Sequence, residues 1–344
     1  MNTQTREYYA AANSFSGFKS FFDEVFDRKK FERIFILKGG PGTGKSTLMK
    51  KTLQKFSDMG FACDAIYCSS DPESLDGVII DGKVAVIDGT APHETDTRLP
   101  GVADEIINLG ESWSSEILSK KRVKIEELNE IKKRNYNSAY KYLAFSGNIH
   151  DYKFELIKNR FDFKSAEGLI SALLKNYEQS QKSPTKLLIS AFSKYGHTRR
   201  DFSKNHIKKQ YSIMGKHGEE SVFLLLLVDC CKDKFSYIRF PSPLREDMSD
   251  GIYFNDENAL FLLNSEKGEL IDTSVFLKGV DAGEIGFLKK TEEALLLKSR
   301  EAFMRAADAH FLLEDIYKAA MDFDKNEEIY QKLSEKIRKI LFKA

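Results

Sequence analysis

Apolar residues along the chain follow two spacings. Short continuous runs occur at 34–37 (Ile-Phe-Ile-Leu), 78–80 and 84–87, such runs mark strands buried on both faces of a parallel sheet, and 62–67 is read as a further strand. Elsewhere the spacing changes to three and four. Leu48, Met49, Thr52, Leu53, Phe56 and Met59 trace one helix face, and Gly60 follows where a helix end favours a left-handed residue. Leu118, Ile125, Leu128, Ala139 and Leu143 trace a second face; Ala302, Ala306, Ala309, Leu313 and Ile316 trace a third. These long stripes predict helices that pack on one another within the chain, with a helical arm for a protein partner as the alternative.

The first strand runs into Gly39-Gly40-Pro41-Gly42-Thr43-Gly44-Lys45-Ser46-Thr47, which matches GxxxxGK[ST]. Strand, glycine loop and helix together are the context in which this motif is a phosphate site. The glycines let the main chain curl so that successive N–H groups face phosphate oxygens, and the helix start adds its dipole. Lys45 is the expected charge for the β- and γ-phosphates, and the Ser46 hydroxyl an expected Mg²⁺ ligand. The fold class that follows is α/β: a P-loop NTPase-type parallel sheet with helices on both faces.

Such a loop needs an acidic partner. Asp88 ends the run 84–87 and is the preferred second magnesium ligand; Asp81, after 78–80, is the rival, although Asp81-Gly82-Lys83 reads as a turn. Gly89 follows Asp88, where motor-type ATPases place a glutamate. The catalytic base therefore stays open, with Asp71, His93 and Glu94 as candidates on loops beyond strand ends, for water or for an acceptor. Each is equally readable as a solvated loop residue or a helix cap.

Length points to two domains, since 344 residues exceed one ordinary core. With 53 Lys+Arg against 52 Asp+Glu, net charge offers no global attraction for nucleic acid or anionic lipid. Cys63, Cys68, Cys230 and Cys231 form no CxxC pair and the histidines no zinc spacing; the N-terminus is polar and the longest apolar run, 223–228, is short. A reduced, soluble, cytoplasmic protein with no membrane role is expected.

The stretches ILKGGPGTGKSTLMKK, YCSSDPESLDGVII, VAVIDGTAPHE, PGVADEIINLGESW, AYKYLAFSGNIHD and DIYKAAMDFDK resemble an uncharacterised bacterial family of tandem P-loop ATPases, described as nucleotide-kinase-like. The resemblance covers most of the chain and implies an ATP-binding fold repeated twice. Internal similarity agrees with it. Asn13-Ser14-Phe15-Ser16 is similar to Ser190-Ala191-Phe192-Ser193, Ile36-Leu37-Lys38-Gly39 to Ile213-Met214-Gly215-Lys216, and Asp76-Gly77-Val78 to Asp250-Gly251-Ile252. The second copy departs at its loop, where Glu219 and Glu220 stand in place of GK[ST], and its strand ends at Asn264 rather than at an aspartate. That half is expected to be a degenerate pseudo-domain, because a carboxylate there repels a triphosphate.

The polar stretch 179–184 is the linker candidate, giving an active domain 1–183, with a helical segment 105–180, and a pseudo-domain 184–344 with C-terminal helices. The basic stretch 197–209 offers Arg199 or Arg200 as an arginine donated to the first loop, or a solvated basic face; no nucleic-acid-binding signature accompanies it, so nucleic acid is not an expected partner. Slow, regulated, Mg²⁺-dependent ATP hydrolysis is the leading expectation. A small-molecule or nucleotide kinase and a non-enzymatic ATP-dependent switch are the alternatives. ATP is preferred over GTP because no guanine-recognition motif is present.

Overall fold

The computed structural model describes residues 5–180, 184–202 and 207–343. The first half contains β1 (Arg6–Tyr9), β2 (Ala11–Ser14), β3 (Gly17–Ser20), α1 (Phe22–Val25), β4 (Arg33–Lys38), α2 (Lys45–Asp58) and β5 (Cys63–Tyr67). It continues with β6 (Leu75–Ile80), β7 (Val84–Asp88), β8 (Asp104–Asn108), α3 (Ser115–Ser119), α4 (Arg122–Lys158) and α5 (Phe163–Leu174). The second half opens with β9 (Thr185–Lys186), β10 (Ser190–Ser193), β11 (Gly196–Arg199), β12 (Lys209–Met214), α6 (Glu219–Cys231) and β13 (Tyr237–Pro241). It closes with β14 (Ser249–Phe254), β15 (Ala259–Leu263), β16 (Glu269–Asp272), α7 (Ala282–Lys318) and α8 (Phe323–Leu341). Among the described residues no helix is long and apolar enough to cross a membrane.

The first sheet has the order β1-β5-β6-β7-β4-β8, and the second repeats it as β9-β13-β14-β15-β12-β16. Both sheets are mixed, which corrects the expectation of a parallel sheet: β6 lies antiparallel to β5 and β7, and β14 to β13 and β15. The cause is local. Asp81 and Gly82 both take positive φ (53° and 65°), forming the tight turn that folds β6 back on β7 as a hairpin. The two faces of the first sheet are covered unequally. On the first sheet α2 and α8 cover one face, while Phe22, Phe26 and Phe31 close the other through a short helix and its flanks.

Matched element by element, the repeat shifts slightly from its sequence alignment. Ser14 and Ser193 occupy one position, since each accepts from the N–H two residues on and donates to the glycine carbonyl three residues on, Gly17 or Gly196. Strand ends likewise place Lys38 with Met214 and Gly39 with Gly215.

The long helices α4 and α7 pack antiparallel. Tyr152 bonds Glu284 near one end, Ala139 accepts from Ser299 in the middle, and Leu128 packs on Ala309 and Leu313 near the other. The predicted stripes are consumed in this pair, apart from Leu118, which falls in α3. The following short helices then cross over. α5 packs Ala166, Ile170 and Leu174 on the second sheet, whereas α8 packs Tyr330, Leu333, Ile337 and Leu341 on the first. Backbone bonds clamp each crossing: Asp322 N–H to the Ser112 carbonyl (2.7 Å) and Asp162 N–H to the Phe276 carbonyl (2.7 Å). A cut at 183 therefore separates the sheets but not the cores. Residues 181–183 of the linker candidate and 203–206 of the basic stretch lie outside the described residues.

Candidate functional site

β4 is buried along 34–37 and ends at the glycine loop, one strand in from the edge of the first sheet, between β7 and β8. Gly42 (φ 69°) and Gly44 (φ 90°) hold left-handed backbone that residues with a Cβ resist, and α2 starts at Lys45 directly behind them. The Lys45 ammonium folds back over the loop and donates to the carbonyls of Gly39 (2.8 Å) and Gly40 (3.0 Å). Thr43 ties the loop from within, its hydroxyl donating to the Gly40 carbonyl. Ser46 Oγ accepts from the Leu75 N–H at 3.0 Å, which anchors the start of α2 to β6. Pro41 is partly covered, and Thr47 faces outward on the first turn.

Asp88 ends β7 beside this loop, with Oδ2 3.8 Å from Lys45 Nζ. Its Oδ1 accepts from the N–H and hydroxyl of Thr90 (2.9 and 2.6 Å), so one oxygen is held and the other faces the lysine. The rival Asp81 sits in the hairpin at the far end of β7.

One acid in this place went unnoticed in the sequence. Gly77 pairs with Ile87 in the β6–β7 ladder, so the next rung sets Asp76 across from Asp88. Asp76 is 5% exposed and its carboxyl is pushed well above its ordinary value, chiefly by burial and then by the charge of Asp88; the Cys68 thiol and Lys45 oppose the shift. The available signal was Asp-Gly at the start of an apolar strand, which reads as a turn until an antiparallel partner is known.

His93 lies under the same group. Its Nε2 is 3.9 Å from Asp76 Oδ1, and its ring stacks on Phe22 at 4.1 Å between centroids. Burial, aided by Lys45 and opposed by Asp88, pushes its pKa down to about 4, so the imidazole is neutral at pH 7. Asp71 is tied up: Oδ2 accepts from Ser74 (2.8 Å), and Oδ1 pairs at 2.8 Å with Lys194 from the β10–β11 turn of the other half. Glu94 is exposed to solvent. The structure thus gathers Lys45, Ser46, Asp88, His93 and Asp76, and leaves Glu94 outside.

The donated arginine is not found. Arg199 bonds the Leu263 carbonyl at the end of β15, in its own half of the chain (2.9 Å). Arg200 lies over the Tyr67 ring (3.5 Å to its centroid) and bonds the Pro72 carbonyl, supporting the loop that carries Asp71. The other half reaches the loop in another way, because the backbone of Glu314 and the ring of Tyr317 on α7 press on Gly42 and Gly40.

In the second half Gly218 (φ 113°) precedes α6 as Gly44 precedes α2, so Glu219 stands at the place of Lys45. Glu219 is fully buried and accepts from the N–H groups of Lys216 (2.8 Å) and His217 (2.9 Å). Its carboxylate fills the curl of N–H groups that a phosphate would need. The counterpart of Asp88 is Leu263, one residue before the expected Asn264, because Gly251 pairs with Leu262 as Gly77 does with Ile87.

The donor set of the first loop suits a magnesium–triphosphate: curled backbone N–H groups, an ammonium, a hydroxyl and two carboxyl groups, all oxygen donors on the metal side. No cluster of three or more His, Cys, Asp or Glu side chains able to cage a metal alone occurs among the described residues. No protein-family model matches the chain, and neither a curated protein nor a solved structure matches it.

Proposed function

We propose that the chain binds a nucleoside triphosphate with Mg²⁺ at 39–47 of its first half and hydrolyses it slowly. The observation that carries this reading is the Lys45 ammonium folded over the loop at the Gly39 and Gly40 carbonyls, 3.8 Å from Asp88 and beside buried Asp76. Those carbonyl contacts hold the ammonium at the loop, ready to exchange them for phosphate oxygens.

Ser46 and Asp88 are the residues to hold the magnesium, which would neutralise charge on the phosphate oxygens. Asp76 is the group to accept the proton. Water attacks the terminal phosphorus, the bond to the leaving diphosphate oxygen breaks, and the water proton passes to the Asp76 carboxylate. Neutral, buried His93 supports Asp76 from below.

The kinase reading needs an open acceptor loop. Lys194 and Ser74 hold Asp71, and Phe22 covers His93, so these residues favour water as the acceptor. The test is ATP binding and turnover by Lys45→Ala, with Glu219→Gln as the control. Loss of both in the first variant and neither in the second supports the reading; unchanged ATP turnover in Lys45→Ala overturns it.

A further inference from the structure

We propose that Lys132 on α4 is a second cation of this phosphate site and contacts the terminal phosphate of the bound nucleoside triphosphate, an inference that rests on the function proposed above. Lys132, Tyr136 and Tyr140 fall one helical turn apart and share a face. That face is fixed at both ends. Leu128, one turn before Lys132, packs on Ala309 and Leu313, and Tyr140 donates to Asn13 Oδ1 at 2.8 Å. Asn13 in turn donates to the Ser69 carbonyl, in the loop that leads to Asp71 and Asp76. The row therefore runs along the wall of the site, with Lys132 among residues that are partly or fully buried.

The ammonium of Lys132 stands apart from its neighbours. Lys45 bonds two carbonyls, Lys38 bonds the Gly89 carbonyl, and Lys194 pairs with Asp71. Among the described residues no hydrogen bond or ion pair holds Lys132, although it is half-buried. Burial and then the charge of Lys45 lower its pKa, so the two like charges oppose one another. A dianionic phosphate between the two relieves that repulsion and returns to Lys132 the interaction it lacks. The loop N–H groups lie at the start of α2 whereas Lys132 comes from α4, so in this proposal Lys132 takes the phosphate that reaches farthest out of the loop, the terminal one. A diphosphate has no such group, and Lys132 becomes the residue that tells triphosphate from diphosphate.

The test is calorimetric titration of Mg-ATP and Mg-ADP into the full chain, for wild type, Lys132→Met, Lys132→Gln, Lys132→Arg and Lys45→Ala. Loss of a charge-assisted hydrogen bond predicts roughly tenfold or greater weakening for ATP in Lys132→Met and Lys132→Gln. Binding of ADP should change little, and Lys132→Arg should recover most of the ATP affinity. Lys132→Gln keeps a polar end and serves if the Met variant does not fold. An unchanged ATP-to-ADP preference in these variants, with binding abolished in Lys45→Ala, overturns the role of Lys132 and leaves the phosphate site standing. Wild-type nucleotide binding by Lys45→Ala overturns both.

Discussion

Asn326, on the last helix of the chain, donates a 2.8 Å hydrogen bond to the carbonyl of Thr43 inside the glycine loop. The bond joins the final segment of the second half to the phosphate site proposed for the first. It is the polar counterpart of the apolar crossing in which α8, rather than a helix of the first half, completes the first core.

Glycine substitutions test how closely α7 touches the loop. A Cβ at Gly42 would stand 2.9 Å from the Glu314 Cα, on backbone that cannot swing aside, and its φ of 69° adds strain. A Cβ at Gly40 would first meet the Tyr317 ring, at 2.8 Å, a side chain that can be replaced. Both alanine variants should destabilise the chain, by roughly 1–3 kcal/mol for the overpacking alone. Replacing Tyr317 by Leu should rescue Gly40→Ala and not Gly42→Ala in chemical denaturation.

The crossing makes the C-terminus decisive for the first half. Ile337→Ala removes a fully buried side chain packed among Leu48, Met49 and Phe56, at a cost of about 2–5 kcal/mol. A chain ending at Met321 should lose the fold of the first sheet and, with it, nucleotide binding. Retained cooperative melting in that truncated chain would contradict the exchange of helices.

Glu219 is predicted to be structural. Glu219→Ala leaves the N–H groups of Lys216 and His217 without their acceptor in a buried loop, a loss of roughly 2–4 kcal/mol seen as a lower denaturation midpoint. Nucleotide binding at the first loop should be unaffected.

His93 gives a signed pH dependence. Its folded pKa of about 4 lies below the unfolded value of 6.5, so between these limits the unfolded chain takes up a proton that the folded chain refuses. Its contribution is fully present above pH 6.5 and declines as pH falls toward 4, by about 3 kcal/mol at most. Asp76 acts in the opposite sense, because the folded state retains its proton above the unfolded pKa. The comparison is therefore between wild type and His93→Phe, which share Asp76: wild type should lose stability relative to the variant across this window.

Asp76→Asn separates chemistry from binding. If Asp76 receives the water proton, turnover should drop by roughly 10²–10⁴-fold while ATP affinity is kept. A drop in affinity of similar size would instead assign Asp76 to metal or phosphate binding.

What the sequence determined by itself is local. The glycine loop, the strand before it, the helix starting at Lys45 and the end of that helix at Gly60 depend on neighbours a few residues away, and the Asp81-Gly82 turn was legible for the same reason. The helical stripes were visible too, because a period near 3.6 needs no partner to be read. What only the tertiary structure decided depends on pairing. The reversal of β6 brings Asp76 opposite Asp88, and nothing in Leu75-Asp76-Gly77 announces a strand register. The exchange of α5 and α8 was equally hidden, since an apolar face specifies burial without naming the sheet that buries it. Lys132 reads as one more lysine on a charged helix until folding half-buries it within reach of the charge of Lys45, with no hydrogen bond or ion pair of its own among the described residues. Glu219 was read as a repelling charge; the fold shows a carboxylate already bonded in the curl of its own loop, because two N–H groups buried beside it need an acceptor.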